Sequence, residues 1–117
     1  MKKILFIDDH EDTAELMAKI VADRGFETDY ETRPIRGLEK ALQTHPDMVV
    51  LDVMMPEMSG LEVALRLKDE GIHAIFLTAY KQKQEDIDRT GVMDCLEKPV
   101  KIDDLILKIE GYLGMAA

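Results

Sequence analysis

Residues Pro46 to Gly60 read PDMVVLDVMMPEMSG. Met48, Val49, Val50 and Leu51 run without a polar break and then meet Asp52. So short an apolar run, with no alternation, reads as a strand buried on both faces, as in a parallel sheet covered by helices. A carboxylate at the end of such a strand is costly unless something there uses it. Just beyond, Ser59-Gly60-Leu61-Glu62 has the form of a capping box, so a helix should begin there.

The same unit recurs along the chain. Ile4–Ile7 and Ala74–Leu77 are further apolar runs, and Glu27–Glu31 and Met93–Leu96 are weaker strand candidates. Helical spacing fills the intervals: Ala14, Met17, Ile20 and Val21; Ile35, Leu38, Ala41 and Leu42; Leu61, Ala64 and Leu65. It is clearest at the end, where Ile102, Leu105, Ile106, Ile109, Tyr112 and Leu113 share one face. Gly25 and Gly71 stand where helices should stop, and Pro34 where one should start. Strands and helices in strict alternation build an α/β fold, a parallel sheet with helices on both faces. Lys81–Thr90 (KQKQEDIDRT) departs from the pattern, because Ile87 is its only apolar residue. A helix with so little to bury should be short, frayed or mobile.

The bulk properties narrow the function classes. At 117 residues the chain is expected to form one domain, 1–117, burying roughly two-thirds of the surface its unfolded form exposes. A net charge of −9 opposes direct binding to nucleic acid or an anionic membrane, since both need a basic patch. Cys95 is the only cysteine, which excludes an internal disulfide and a two-cysteine redox or zinc site. MKKILFIDD places lysines before an apolar stretch, but that stretch is too short for a secretory signal core. No stretch approaches the ~20 apolar residues that span a membrane. The expected location is the cytoplasm.

In an open parallel sheet, ligands bind beyond the carboxyl ends of the strands, where strand order reverses. Asp8 and Asp9 follow the first strand and Asp52 closes the third. In the order 2-1-3-4-5 those strands are neighbours, so three carboxylates would share one crevice. Two unit charges ~5 Å apart repel by about 3 kcal/mol at an effective dielectric near 20. A hard divalent cation is the simplest remedy, and Mg2+ takes one or two carboxylates with water or phosphate oxygens. Lys98, after the fifth strand, adds a fixed positive charge, and Thr78, after the fourth, adds a hydroxyl. Singly, an Asp pair before a helix reads as a cap and a lysine before proline as a solvated loop residue. The combination of all of them at strand ends points to a site.

ILFIDDHED, VVLDVMMPEMSGLE, FLTAY and CLEKPV, in this order, resemble the receiver domains of two-component response regulators, the CheY-like family. The resemblance covers essentially the whole chain. It implies a flavodoxin-like, five-stranded parallel sheet of order 2-1-3-4-5 with helices on both faces. It implies that Asp52 is phosphorylated by a sensor histidine kinase or a histidine phosphotransfer protein, switching a protein-binding face. Asp9, Asp52 and the backbone carbonyl of Met54 would ligate Mg2+ (Mn2+ being the alternative), with Asp8 acting through water. Lys98 would pair with Asp52 and then with the phosphoryl oxygens. Thr78 would move to hydrogen-bond them, with the Ala79 amide beside it. Lys98-Pro99 matches the family's cis peptide, with Pro99 aiming the lysine inward. The domain would phosphorylate and dephosphorylate itself rather than act as a turnover enzyme, and a homodimer is allowed.

Three features depart from the family pattern. Cys95 stands where a switching aromatic ring is usual, which reads as a small buried filler rather than a redox sensor. The polar Lys81–Thr90 segment is short for a fourth helix, so an atypical or mobile output face is expected. Met54 and Tyr80 occupy positions that flank the phosphoryl group, and their bulk should hinder water and lengthen the phosphoryl lifetime.

Two other classes fit less well. Haloacid-dehalogenase-like phosphatases also use an aspartyl nucleophile with Mg2+, but need a second Asp two residues on, where this chain has Met54. A nucleotide or flavin module normally shows a Gly-rich loop after the first strand, and DDHED is the opposite in charge. A receiver that binds protein without being phosphorylated would not need so complete a site. No output domain is expected in this chain, which reads as a stand-alone regulator or a receiver excised from a longer response regulator or hybrid kinase.

Overall fold

The computed structural model describes residues 1–115. Strands β1 (Lys3–Ile7), β2 (Glu27–Glu31), β3 (Met48–Leu51), β4 (Ala74–Thr78) and β5 (Cys95–Glu97) alternate with helices α1 (Glu11–Ala22), α2 (Pro34–Thr44), α3 (Gly60–Asp69), α4 (Gln84–Thr90) and α5 (Ile102–Tyr112). The five strands form one parallel sheet in the order β2-β1-β3-β4-β5.

Each apolar run is uninterrupted because alternate residues feed two separate cores. Leu5, Ile7, Val49, Leu51, Ala74 and Phe76 pack beneath α2 and α3 with Leu38, Ala41, Val63 and Leu67. Ile4, Phe6, Met48, Val50, Ile75 and Leu77 face α1 and α5 with Ala18, Val21, Leu105 and Ile109. Full burial of a side chain such as Phe76 or Ile75, neither of them exposed at all, stabilises the fold by about 1.5–3 kcal/mol. β2 and β5 were the weaker candidates because they are the edges. The residues of β2, ETDYE, are at most half-buried, and β5 spans only three residues. β5 begins at Cys95 rather than Met93, although the Met93 amide already donates to the Ala74 carbonyl at 2.8 Å.

Helix faces differ in detail from the sequence expectation. In α3 the buried stripe is Val63, Ala64 and Leu67, with Leu61 and Leu65 half-buried. In α2, Gly37, Leu38 and Ala41 are buried while Ile35 and Leu42 are partly exposed to solvent. α4 has only seven residues, as the scarcity of apolar side chains predicted, and Thr90 is the only one of them that is buried.

Register determines what the sheet's carboxyl edge presents. Ile7 pairs with Leu51, and the Asp52 amide donates to the Ile7 carbonyl at 2.9 Å. Asp8 and Asp52 therefore leave neighbouring strands at one level. Thr78 is level with Glu97 across β4 and β5, one residue before Lys98.

Candidate functional site

Asp8 and Asp52 are both buried, only 7% and 6% exposed. Each is held by main chain near it. Asp8 Oδ1 accepts from the His10 amide at 2.9 Å, and Asp52 Oδ1 accepts from the Val53 amide at 2.7 Å. Lys98, the residue before Pro99 in a cis peptide, brings its Nζ to both acids. It donates to Asp8 Oδ2 at 2.6 Å and to Asp52 Oδ2 at 3.4 Å. Lys98 thus bridges the two acids, and its shorter bond goes to Asp8, whereas the resemblance had paired it with Asp52. Burial disfavours the charged ammonium, but the hydrogen bond and charge of Asp8 and the charge of Asp52 outweigh it and raise the Lys98 pKa above its ordinary value.

One lysine does not satisfy three carboxylates. Asp9 Oδ1 is buried with no hydrogen-bond partner. One ligand atom from each of Asp8, Asp9, His10 and Asp52 falls within 4.8 Å of the others. An orphaned carboxylate oxygen inside such a cluster could serve, with its neighbours, as the oxygen donor set of a hard divalent cation.

The loop from β3 to α3 carries Asp52 and Met54 of the site. The Ser59 hydroxyl accepts from the Glu62 amide at a long 3.4 Å, and Glu62 supplies first-turn negative charge favoured by the helix dipole. Gly60 lies so close to β3's end that an added Cβ would stand 2.0 Å from the Asp52 carbonyl oxygen. Its amide donates to the Val53 carbonyl at 2.8 Å. Only glycine allows this approach, which the capping-box reading of the sequence did not detect. Between them Glu57 takes φ +73°, with the Met58 amide donating to the Pro56 carbonyl across it. That tight turn is held by a two-pronged Arg33–Glu57 contact at 3.0 and 3.3 Å.

Above the acids lies a shallow crevice of about 380 Å3 walled by His10, Thr13, Asp52, Met54, Ala79, Tyr80 and Lys98. Met54 and Tyr80 are 57% and 59% exposed and stand at its mouth. Thr78 is fully buried and absent from that wall, its Oγ1 accepting from the Tyr80 amide at 3.4 Å. Pro99 lines an adjoining apolar groove instead. Cys95 is half-buried against the core beneath α2 and α3, and burial, the chief cause, pushes its thiol pKa up. His10 and Thr13 are the wall residues that the sequence reading missed. The signal for His10 was its position directly after the Asp8–Asp9 pair.

No helix of the described residues is long and apolar enough to cross a membrane. The family model of the response regulator receiver domain matches residues 4–110. The polar-differentiation response regulator DivK of Brucella ovis is 32% identical over 121 residues, covering 98% of this chain and 98% of that protein. A CheY-like response regulator receiver domain protein from Methanospirillum hungatei superimposes with a TM-score of 0.90 at 26% identity, covering 97% of this chain and 94% of that one. The response regulator TrrA of Thermotoga maritima, solved in complex with Mg(2+)-BeF, superimposes with a TM-score of 0.83 at 33% identity, covering 95% and 98%. In fold, sequence and the acids gathered at one sheet edge, the chain belongs to the response regulator receiver domain family.

Proposed function

We propose that Asp52 accepts a phosphoryl group from the phosphohistidine of a sensor kinase or phosphotransfer protein, with a divalent cation held by Asp9, Asp52 and the Met54 carbonyl and with Asp8 acting on it through water. The observation that carries this reading is the orphaned Asp9 oxygen beside a buried Asp52 that shares its lysine with Asp8. An Asp52 oxygen attacks phosphorus while the bond from phosphorus to the donor imidazole nitrogen breaks. The imidazole departs with that electron pair, and an acyl phosphate remains on Asp52. The cation, Mg2+ in the first instance, supplies charge neutralisation for the phosphoryl oxygens. Lys98 neutralises charge from the opposite side, and being positioned before the reaction it needs little reorganisation. Thr78 and the Ala79 amide then close on the phosphoryl group. The added charge of about −1.5 to −2 biases the loops between two arrangements.

The donor protein must bring its histidine to this crevice. A groove of about 560 Å3 shares Lys98 and Ala79 with it and is lined by Leu16, Met17 and Ile20 of α1 and by Pro99, Val100 and Ile102. Leu16 is 57% exposed there. An amphipathic donor helix lying in that groove would present a histidine at the site. Leu16→Asp should slow transfer from a phosphorylated donor protein and leave labelling by a small phosphodonor unchanged.

Incubation with a small phosphodonor and Mg2+, read by intact mass, tests the central reading. Stoichiometric modification of the wild type that disappears in Asp52→Asn supports it. Continuous phosphate release without a modified protein would replace it with a hydrolase.

A further inference from the structure

We infer that Arg33, through its two-pronged bond to Glu57, is a positioning residue for the cation site, holding the β3–α3 loop in the conformation that offers the Met54 carbonyl to Mg2+. The inference rests on the cation site proposed above and concerns what fixes one of its ligands.

As far as Asp52 the site is set by the sheet, where Ile7 pairs with Leu51 and the Asp52 amide donates to the Ile7 carbonyl. Beyond Asp52 the loop is thinly held. Gly60 is tied to Val53 and Met58 to Pro56, but among the described residues no backbone hydrogen bond involves Met54 or Met55. Met55 and Met58 rest half-buried against the core beneath α2 and α3. Methionine is an adaptable side chain, so these contacts restrain the loop loosely. The two-pronged bond of Glu57 is its directional tether.

Arg33 supplies the rigid end of that tether. It is the N-cap of α2, Pro34 follows it with a fixed φ, and its carbonyl accepts from the Gly37 amide at 2.8 Å. Gly37 in turn lies against β1, where an added Cβ would stand 2.7 Å from the Ile7 side chain. Ile7 directly precedes Asp8 and Asp9. Arg33 is thereby fixed relative to the strand that delivers two of the acids. Its guanidinium donates from Nη2 to Glu57 Oε2 at 3.0 Å and from Nε to Oε1 at 3.3 Å. A planar fork on a carboxylate sets orientation as well as distance. The bond therefore spans from the β1 side of the site to the loop that carries Met54.

The backbone of Glu57 adds an independent reason. Its φ of +73° lies in the left-handed region, which glycine adopts freely and glutamate does not. The chain thus carries a long side chain where the main chain alone would favour none, and the partner of that side chain is Arg33. The hydrogen bond from Arg33 is also the chief cause that holds the Glu57 carboxyl below its ordinary pKa.

The test is calorimetric titration with Mg2+ alone of wild type, Glu57→Gly, Arg33→Ala and the double variant, alongside urea unfolding of each. Glycine relieves the strained φ, so Glu57→Gly should unfold at the wild-type midpoint or above it, and a lost affinity then reports on the site. Expected is a loss of about three- to fivefold in Mg2+ affinity in each single variant, the scale an exposed but two-pronged ion pair can transmit. The double variant should lose no more than either single one, because both remove the same bond. In labelling by a small acyl phosphate, the half-maximal Mg2+ concentration should rise by the same factor, with the rate at saturating Mg2+ changed by less than about twofold. A field effect alone would give the two variants opposite signs, since one removes a positive charge and the other a negative one. Opposite signs, additive losses, wild-type affinity in Glu57→Gly, or a loss matched by a lower urea midpoint would each overturn the inference and leave the carboxylate site standing. Failure of Mg2+ to bind the wild type would overturn the cation site itself, and this inference with it.

Discussion

Replacing Gly60 with alanine should disturb fold and site together, by an amount the geometry sets. The new Cβ would meet the Asp52 carbonyl oxygen at 2.0 Å, Val53 Cα at 2.7 Å and the Asp52 carbonyl carbon at 2.9 Å. All three are main-chain atoms, so no rotamer change relieves them. The first turn of α3 must retreat on the order of 1 Å from a close-packed neighbour. Overpacking of this kind costs ~1–3 kcal/mol. The retreat also stretches the Gly60–Val53 hydrogen bond of 2.8 Å, worth about 1 kcal/mol net. Together they predict a loss of roughly 2–4 kcal/mol, or a fall in Tm of about 8–16 °C for a domain of this size. Gly111→Ala is the control. Nothing lies within 4 Å of its Cβ position in α5, so helix propensity alone should raise stability by up to ~1 kcal/mol. Urea unfolding followed by circular dichroism measures both. Labelling of the surviving folded Gly60→Ala protein by a small phosphodonor should also slow, because the displaced atoms carry Asp52. If Gly60→Ala unfolds at the wild-type midpoint, the close approach does not hold the loop and the reasoning fails.

Further expectations concern charge, proton and mobility. In metal-free protein, Asp9→Asn should raise stability by about 1 kcal/mol by relieving repulsion, while Lys98→Ala should lower it by a similar or larger amount, since Asp8 and Asp52 then lose their shared cation. Opposite signs in paired urea melts are the check. The Tyr112 hydroxyl donates to Asp94 at 2.7 Å, and that bond, then burial, raises the phenol pKa above its usual 10.0. Its contribution, modest because the pair is largely screened by solvent, is therefore complete below pH 10 and fades as pH rises through the raised value. Tyr112→Phe should narrow its stability gap to wild type only in that alkaline range. Amides of α4 should exchange faster than those of α5, because only Thr90 anchors α4 whereas Leu105, Ile106 and Ile109 anchor α5. Equal protection of the two helices would contradict this. Tyr80→Ala should shorten the phosphoryl lifetime of Asp52 by admitting water at the crevice mouth, read as faster loss of the phosphorylated mass.

How far the sequence was legible follows from what each segment buries. MVVL, ILFI and AIFL were readable as strands because both faces of a central strand meet a core, leaving no polar position. ETDYE and CLE carry less of that signal, since an edge strand has one neighbour and partial cover. In α3, LEVALRL has apolar residues at 61, 63, 64, 65 and 67, two overlapping stripes that hydropathy alone does not separate. Packing against Val53 and Phe76 decides for Val63, Ala64 and Leu67. The acids were readable for a topological reason: Asp8, Asp9 and Asp52 each follow a buried run, and a parallel sheet brings those ends to one edge. What topology does not convey is distance within the edge. That Lys98 lies nearer Asp8 than Asp52, that Thr78 is withdrawn from the crevice, and that His10 turns onto the carboxylates instead of capping its helix depend on single torsions. Gly60 belongs to the same class. Its identity was visible, but its function is to have no side chain where α3 meets Asp52, a condition set by two segments at once. The chemistry at this edge therefore depends on residues whose importance is steric as much as on those that carry charge.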